Sequence, residues 1–555
     1  MTYPYENLKS FTLPALLDRS VELYGSRDVL TKVSQKPMTY EQLRQNVQEM
    51  VSLLKNNGVS KGDKVILLSE NMPNWAVAYF AVTYFGAVIV PVLPDFHTSD
   101  VHHIIRHSEA KAVFVSERHL ATIEELNHSD LKLVIKLDNL SVINELTTSS
   151  YGAKIAQKMP SFKEKEPEEG DMAALLYTSG TTGHSKGVML SHKNLVTNAM
   201  SAFEKISITQ DDVFLSILPL AHTLECTVGL IIPILHGSSI QYIDKAPTPS
   251  VLLKSFSIVK PTMMVSVPLI IEKIYKNKVL PKFTSSFIIR FLYSIAFIRK
   301  FLNKIAGKKL IETFGGRLRF FGIGGASLSP YVEQFLIEAN FPYIIGYGLT
   351  ETSPLIAGSV LGKAIKIKST GTAMAGVEIQ IKNKNPETGE GEIIVKSPSV
   401  MMGYYKDEAQ TNAVMEDGWF LTGDLGYIDE DGFLFISGRS KNVIIGSGGE
   451  NIYPEQIEAI INQHEFVLDS LVLQRDDHKL VARVHMDYEL IDKMLKANHT
   501  PEIEIKGKIS ALLEEMRIEV NSKVSSFSKM VKFVEQIEPF VKTPTKKIKR
   551  FLYTN

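Results

Sequence analysis

The chain has 555 residues, 44% of them apolar and 22% charged, a balance that belongs to a folded globular protein and excludes a disordered one. That length exceeds what one hydrophobic core fills, so two or more domains are expected. Lys+Arg and Asp+Glu stand at 61 each, without the basic excess of a nucleic-acid protein, and the single cysteine, Cys226, excludes an internal disulfide framework and fits a reducing compartment.

The first residues, MTYPYENLKS, lack the basic-then-apolar order of a secretion signal, so a cytoplasmic location is expected. TYEQLRQNVQEMVSLLKNNG has the periodicity of an amphipathic helix closed by Gly58. KVILLS reads as a short buried strand, and KAVFVS and LKLVIKL repeat that pattern after intervening helices. Such alternation predicts an α/β class with parallel sheets and covering helices. Trp75 to Pro94, WAVAYFAVTYFGAVIVPVLP, runs 20 residues without a charge, long enough to span a bilayer. Gly86 divides it into a helix-like half and the strand-like VIVPV, so we expect a buried helix, a turn and a buried strand. Residues 161–170, SFKEKEPEEG, read as a charged loop.

From about residue 363 the texture changes. VEIQIKN, GEIIVKS and GYIDEDGFLFIS are short period-two strands with Glu-Gly and Asp-Gly turns, which predicts an antiparallel β subdomain. After GRSKN (438–442) it changes again. NIYPEQIEAIINQH reads as a helix, SLVLQ and KLVARVHM as strands, and 501–523 as a long charged helix. The expected division is a large domain, 1–439, and a small α+β domain, 440–555. No internal repeat or low-complexity tract is present.

The chemistry concentrates first in YTSGTTGHSKG, residues 177–187. An apolar strand precedes this loop of glycines and hydroxyl residues. Glycine lets backbone N–H groups turn toward an anion, hydroxyls add donors, and Lys186 adds a point charge suited to phosphate. The loop is not a standard P-loop: counting from Gly180, Ser185 stands where the second glycine belongs and Gly187 where Ser/Thr belongs.

This stretch resembles the phosphate loop of the acyl-adenylate-forming enzymes, a superfamily of acyl-CoA synthetases, luciferases and peptide-synthetase adenylation domains. It departs only at Ser185, where the family has proline. The resemblance continues in order through nearly the whole chain and implies roles for particular residues. Thr178, Ser179, Gly180, Thr181, Thr182, Gly183 and Lys186 would hold the ATP phosphates. LPLAHTLE (218–225) resembles the segment lining the carboxylate pocket, with His222 steering the acid. RFFGIGGASLSP (319–330) and IIGYGLTETSP (344–354) resemble the adenine and acyl segments. There Gly325, Ala326, Gly346 and Gly348 border the nucleotide, and Tyr347 stacks on adenine. Thr350 meets the α-phosphate and Glu351 binds Mg²⁺. In DGWFLTGDLGYIDEDGFLFISGRSKN (417–442), Asp424 takes the ribose hydroxyls and Arg439 the ribose or phosphate, while Lys441 falls at the family's inter-domain hinge. Gly448 and Gly449 border the pantetheine tunnel, and Glu450 caps the following helix.

KTPTKKIKR (542–550) alone reads as a basic solvated tail. By the family's register, Lys547 is the catalytic lysine of adenylation and Lys546 stands where the family has glycine. The implied reaction joins a carboxylate to AMP with release of pyrophosphate, then swings the small domain so that a thiol, coenzyme A, takes the acyl group. ATP, Mg²⁺ and coenzyme A are the implied cofactors and co-substrates; an acyl-carrier protein is the alternative acceptor, and a non-catalytic nucleotide binder the alternative class.

The acid itself is marked by KPTMMVSVPLIIEKIY (260–275) and the insert that follows, which resemble long-chain fatty-acid–CoA ligases. Residues 283–305 also form an apolar helix edged by Arg290, Arg299, Lys300 and Lys304. Two readings stand: a helix packed on the protein, or peripheral contact with the inner face of an anionic membrane.

Overall fold

The uncharged stretch from Trp75 is interior. Helix Pro73–Tyr84 has Trp75 through Thr83 all buried, and all five residues of strand Val88–Val92 are buried after the turn at Gly86. Apolar residues on every side suit a helix and strand covered on both faces. Among the described residues, no helix is long and apolar enough to cross a membrane.

The computed structural model describes residues 4–33, 35–126, 131–143, 166–179, 185–284, 286–446, 450–475, 477–495, 502–544 and 546–553. The chain forms two compact units. The first comprises Met1–Thr178, Ser185–Ile379 and Val395–Phe420, and the second Ser179–His184, Gln380–Ile394 and Leu421–Asn555.

Two sheets build the first unit. In one, Met172–Ser179, Val88–Val92, Lys64–Leu68, Ala112–Val115 and Leu133–Lys136 run parallel in that spatial order, and Ser185–Ser191 and Gly403–Tyr404 extend it. In the other, Tyr343–Gly348, Phe320–Ile323, Met263–Ser266, Val213–Ser216, Ser239–Tyr242 and Asp28–Lys32 are parallel, with Leu355–Gly358 returning antiparallel beyond Tyr343–Gly348. The strands expected from KVILLS, KAVFVS and LKLVIKL are the centre and flank of the first sheet. The amphipathic helix runs Tyr40–Asn56. Thr39 and Gln42 cap it reciprocally, and its Leu43, Val47, Met50 and Leu54 face the core. Of the charged loop expected at 161–170, residues 161–165 lie outside the described residues.

The expected single helix over 283–305 is divided: residues 283 and 284 end helix Leu280–Thr284, and Phe287–Ser294 and Ala296–Thr313 follow, broken at Ile295, whose φ of −81° and ψ of 115° are extended. Tyr293 donates to Asn303 Oδ1 at 2.8 Å and stacks on Phe283 at 4.6 Å, folding the second helix back on the first. The outer faces stay open: Phe287 is 81% and Phe297 79% exposed, with Ile288, Phe291 and Phe301 also exposed.

In the second unit the expected hairpin is present. Trp419–Ile428 pairs antiparallel with Leu434–Arg439 in a register that sets Asp424 opposite Arg439. Helix Pro454–Ile461, helix Glu502–Lys523 and the sheet of Val467–Gln474, Leu480–Met486 and Met530–Glu535 enclose a separate core. The third of these strands, parallel to the second, was not foreseen.

Candidate active site

Strand Met172–Ser179 precedes the glycine-hydroxyl stretch in the chain, and strand Ser185–Ser191 follows it. Thr178 is half-buried at that strand's end. Gly180, Thr181, Thr182 and Gly183 lie outside the described residues, as do Gly448 and Gly449. Lys186 returns on the second strand. Its ammonium donates to Gln410 Oε1 at 2.8 Å and lies 5.1 Å from the centre of the Tyr404 ring.

Tyr404 reaches this position because Gly403–Tyr404 pairs antiparallel with Ser185–Ser191, setting Tyr404 opposite Val188. From there its hydroxyl donates to Glu351 Oε1 at 2.9 Å. The backbone holds Glu351 as well: Met401 N–H donates to its carbonyl at 2.8 Å. Glu351 sits in the short turn Thr350–Thr352 after strand Tyr343–Gly348. That turn folds tightly because a side chain on Gly348 would meet the Pro354 carbonyl oxygen at 1.7 Å, so only glycine fits.

Thr350 accepts from Thr223 Oγ1 at 3.3 Å, which brings in the 218–225 segment. His222 stands beside it, half-buried, and its Nδ1 accepts from Leu224 N–H at 3.2 Å. In the neutral ring this puts the proton on Nε2, the nitrogen able to donate to a carboxylate. A wide-turned helical stretch, Glu225–Ile231, follows. Burial pushes the Glu225 carboxyl up to about 8, with Ser216 opposing, so it is neutral at pH 7.

Lys186, Tyr404, Glu351, Thr350, Thr223 and His222 therefore form one continuous neighbourhood in the first unit. Tyr404, Gln410 and Thr223 were missed in the sequence; the aromatic pair after Gly403 was the available signal. Gly325 and Ala326 are exposed at the turn after Phe320–Ile323, while Tyr347 is 8% exposed within its strand. Beside Gly346 and Leu224 a cavity of about 60 Å³ opens onto the sheet, bounded also by Val265, Gly322, Ile344 and Met374.

In the second unit Asp424 is buried, and Arg439 Nε donates to its Oδ1 at 2.8 Å. Thr422 Oγ1 accepts from Asp424 N–H at 3.0 Å and donates to Ile393 O at 2.7 Å, which fixes the strand locally. Lys441 is exposed in the turn Ser440–Asn442. Glu450 does not cap the next helix: that helix begins at Pro454, with Glu455 in its first turn.

The final segment is a closed turn, not a loose tail. Lys542 bridges to Ile548, Thr543 N–H donates to Lys547 O at 2.7 Å, and Lys547 N–H donates to Thr543 Oγ1 at 3.1 Å. Lys546 has a φ of +64°, the left-handed conformation that favours glycine. Lys542 is paired with Asp469 at 2.7 Å and Arg550 with Glu458, and Lys546 and Lys547 are exposed at the tip.

The family model of AMP-binding enzymes matches residues 17–405. The chain belongs to this family. Among curated relatives of this AMP-binding enzyme, the peroxisomal long chain acyl-CoA synthetase 7 of Arabidopsis thaliana is 30% identical over 92% of this chain and 79% of its own. The long-chain-fatty-acid–CoA ligase FadD15 of Mycobacterium tuberculosis is 27% identical over 92% and 88%. Among solved structures, the anthranilate CoA ligase AuaEII with anthranoyl-AMP superposes with a TM-score of 0.77 at 20% identity, over 98% of this chain and 96% of that one. O-succinylbenzoate coenzyme A synthetase (MenE) of Bacillus subtilis, solved with ATP and magnesium, gives 0.74 at 22%, over 97% and 98%. Those two likenesses bear on the fold, a large α/β part followed by a smaller one.

Proposed function

We propose that this AMP-binding enzyme activates a long-chain fatty acid with ATP and passes the acyl group to coenzyme A. The observation that carries the reading is the neighbourhood joining Lys186 to Glu351 through Tyr404, and Thr350 to Thr223. It gathers a phosphate-type cation, a hard oxygen ligand and paired hydroxyls, drawn from three distant segments, at one place. The long-chain acyl-CoA synthetases among its relatives support the substrate class.

In the first half-reaction the carboxylate oxygen attacks the α-phosphorus of ATP, and the bond from that phosphorus to the bridging oxygen breaks. Acyl-AMP forms and pyrophosphate leaves. Lys186 and the hydroxyls of 178–182 hold the β- and γ-phosphates, Thr350 donates to the α-phosphate, and His222 Nε2–H orients the acid. Gly325, Ala326, Gly346, Tyr347 and Gly348 border adenine, and Asp424 with Arg439 takes the ribose. Lys547 adds its charge to the α-phosphoryl oxygens. Glu351 suits Mg²⁺, which takes one or two carboxylates together with substrate phosphates, and Tyr404 orients its carboxylate. Bound Mg²⁺ would offset phosphate charge.

In the second half-reaction the thiol sulfur of coenzyme A bonds to the acyl carbon, the bond from carbon to the AMP oxygen breaks, and the thiol proton passes to solvent. Lys441 is assigned the hinge between the half-reactions, with the functional division at 439/440, and Gly448 and Gly449 the passage for the pantetheine arm. Carboxylate-dependent exchange of labelled pyrophosphate into ATP, across acids from acetate to stearate and benzoate, tests the first half. A peak at long chains is expected; no exchange with any acid would remove the reading. Supplying coenzyme A or an acyl-carrier protein as acceptor then tests the second.

The same reading includes contact with an anionic membrane through Phe287–Ser294 and Ala296–Thr313. Exposed Phe287, Phe291, Phe297 and Phe301 offer the apolar contact, and Lys300, Lys304, Lys308 and Lys309 complement acidic headgroups. Co-sedimentation with anionic but not neutral vesicles is expected, and loss of it in Phe297→Ser/Phe301→Ser; no sedimentation removes the contact.

A further inference from the structure

Asn71 joins the carboxyl ends of two strands that belong to different sheets, the edge at which open α/β sheets hold their ligands. It stands just beyond strand Lys64–Leu68, and Ser216 ends strand Val213–Ser216. Asn71 Nδ2 donates to Ser216 Oγ at 2.9 Å and to Leu218 O at 2.6 Å, and its Oδ1 accepts from Leu220 N–H at 2.8 Å. An asparagine just before a helix ordinarily caps it. This one does not: helix Pro73–Tyr84 has Met72 at its N-cap and no side chain capping there. Both amide N–H groups and the carbonyl are spent instead on a segment that begins 145 residues away.

What it holds is the approach to His222. Leu218 O and Leu220 N–H flank Pro219, and the carboxamide pairs with both as a peptide group of a neighbouring strand would. Pro219 itself is exposed, and its carbonyl accepts His222 N–H at 2.9 Å. The ring is fixed in turn by Leu224 N–H on Nδ1. The Ser216 hydroxyl also bonds the buried Glu225 carboxyl, which ties the two ends of 217–224 together. Residues 217–222 form neither helix nor strand. Such a stretch has no ladder of its own, so the side chain that supplies its hydrogen bonds decides its path.

On the adenylation reading above, in which His222 orients the acid, we propose that Asn71 is a positioning residue. It sets the path of 218–222 and thereby the place of His222 Nε2 opposite the carboxylate, and it touches no reactant itself. Thr350 is held by its own turn, where Leu349 N–H donates to Thr352 Oγ1 at 3.1 Å, so the nucleotide side does not depend on Asn71. Without the carboxamide, Leu218 O and Leu220 N–H turn to other partners, the segment relaxes, and the imidazole leaves its place.

The test is pyrophosphate exchange with dodecanoate and hexadecanoate in wild type, Asn71→Ala, His222→Ala and the double variant. Asn71→Ala should raise KM for the acid by roughly ten- to hundred-fold, the worth of one hydrogen bond to a charged group, while KM for ATP stays within about two-fold. Added to His222→Ala, it should cost little more, because it acts through that ring. A fall in kcat alone, as fewer folded molecules would give, equal rises in both KM values, or losses that multiply in the double variant overturn the assignment and leave adenylation standing. Asn71→Asp keeps the shape and the acceptor for Leu220 N–H but loses the donor to Leu218 O. It should show the same split between acid and ATP, and loss of the fold in both variants overturns the assignment. Should no acid exchange in wild type, adenylation falls instead. Calorimetric binding of dodecanoate then decides for Asn71: weaker binding to Asn71→Ala than to wild type, with ATP binding equal, supports it, and equal binding of the acid overturns it.

Discussion

The Tyr404 hydroxyl donates to Glu351 Oε1 at 2.9 Å, so a tyrosine from the edge of one sheet orients the carboxylate that follows the last parallel strand of another. Removing that hydroxyl while keeping the ring separates orientation from packing. Tyr404→Phe should weaken Mg²⁺ dependence of pyrophosphate exchange by about 10–100-fold, the usual scale for a group that orients a metal ligand. An unchanged Mg²⁺ titration would detach Tyr404 from the site.

Lys547 and Lys546 are neighbours at one turn with opposite expectations. Lys547→Ala should abolish acyl-AMP formation yet spare thioester formation from supplied acyl-AMP, measured as two separate half-reactions. Equal loss of both halves would make the residue structural. Lys546→Gly relieves a left-handed backbone and should stabilise the turn by up to ~1 kcal/mol, with adenylation retained. Its readout is the unfolding midpoint of the protein.

Gly346 and Gly348 lie two apart on one strand, yet their surroundings differ. A methyl on Gly348 strikes the Pro354 carbonyl, whereas one on Gly346 has nothing nearer than 3.9 Å and enters the cavity. Gly348→Ala should cost about 1–3 kcal/mol or more and misplace Thr350 and Glu351 together. Gly346→Ala should leave stability nearly unchanged and shift exchange toward shorter acids. Chemical denaturation and the acid series measure the two effects.

Glu225 makes stability depend on pH. Its carboxyl rises from 4.5 to about 8 on burial, so across that window the folded state holds a proton that the unfolded state has lost. Stability from this group is therefore full below 4.5 and is lost as pH rises to about 8, at no more than ~1.4 kcal/mol per pH unit. Glu225→Gln, neutral at every pH, should match wild type near pH 5 and exceed it near pH 8.5. Parallel denaturation curves at both pH values would show the carboxyl ionised in the fold.

Much of this was legible in the sequence because it is local. Alternating apolar runs gave the parallel strands, Asp431-Gly432 gave the hairpin turn, and the motif segments announced Lys186, Thr350 and Asp424 by their neighbours in the chain. What stayed hidden depends on pairing at long range. Tyr404 lies more than two hundred residues from Lys186, and only the strand pair Gly403–Tyr404 with Ser185–Ser191 brings them together. The break at Ile295 was hidden because apolar periodicity continues across it, while the fold-back rests on Tyr293 meeting Asn303. Strand Met530–Glu535 carries an exposed lysine at Lys532, which masks its apolar face.

The turn bearing Lys547 is fastened at both feet, by Lys542 to Asp469 on a strand and by Arg550 to Glu458 on a helix. Those anchors belong to the body of the C-terminal fold. The backbone of this turn is thereby tied to that fold, and the proposed travel of Lys547 would carry some hundred residues with it. On the proposed reaction, the step that brings Lys547 in or withdraws it should then slow as solvent viscosity rises, as the drag on a whole globule requires and the stiffness of a short loop does not.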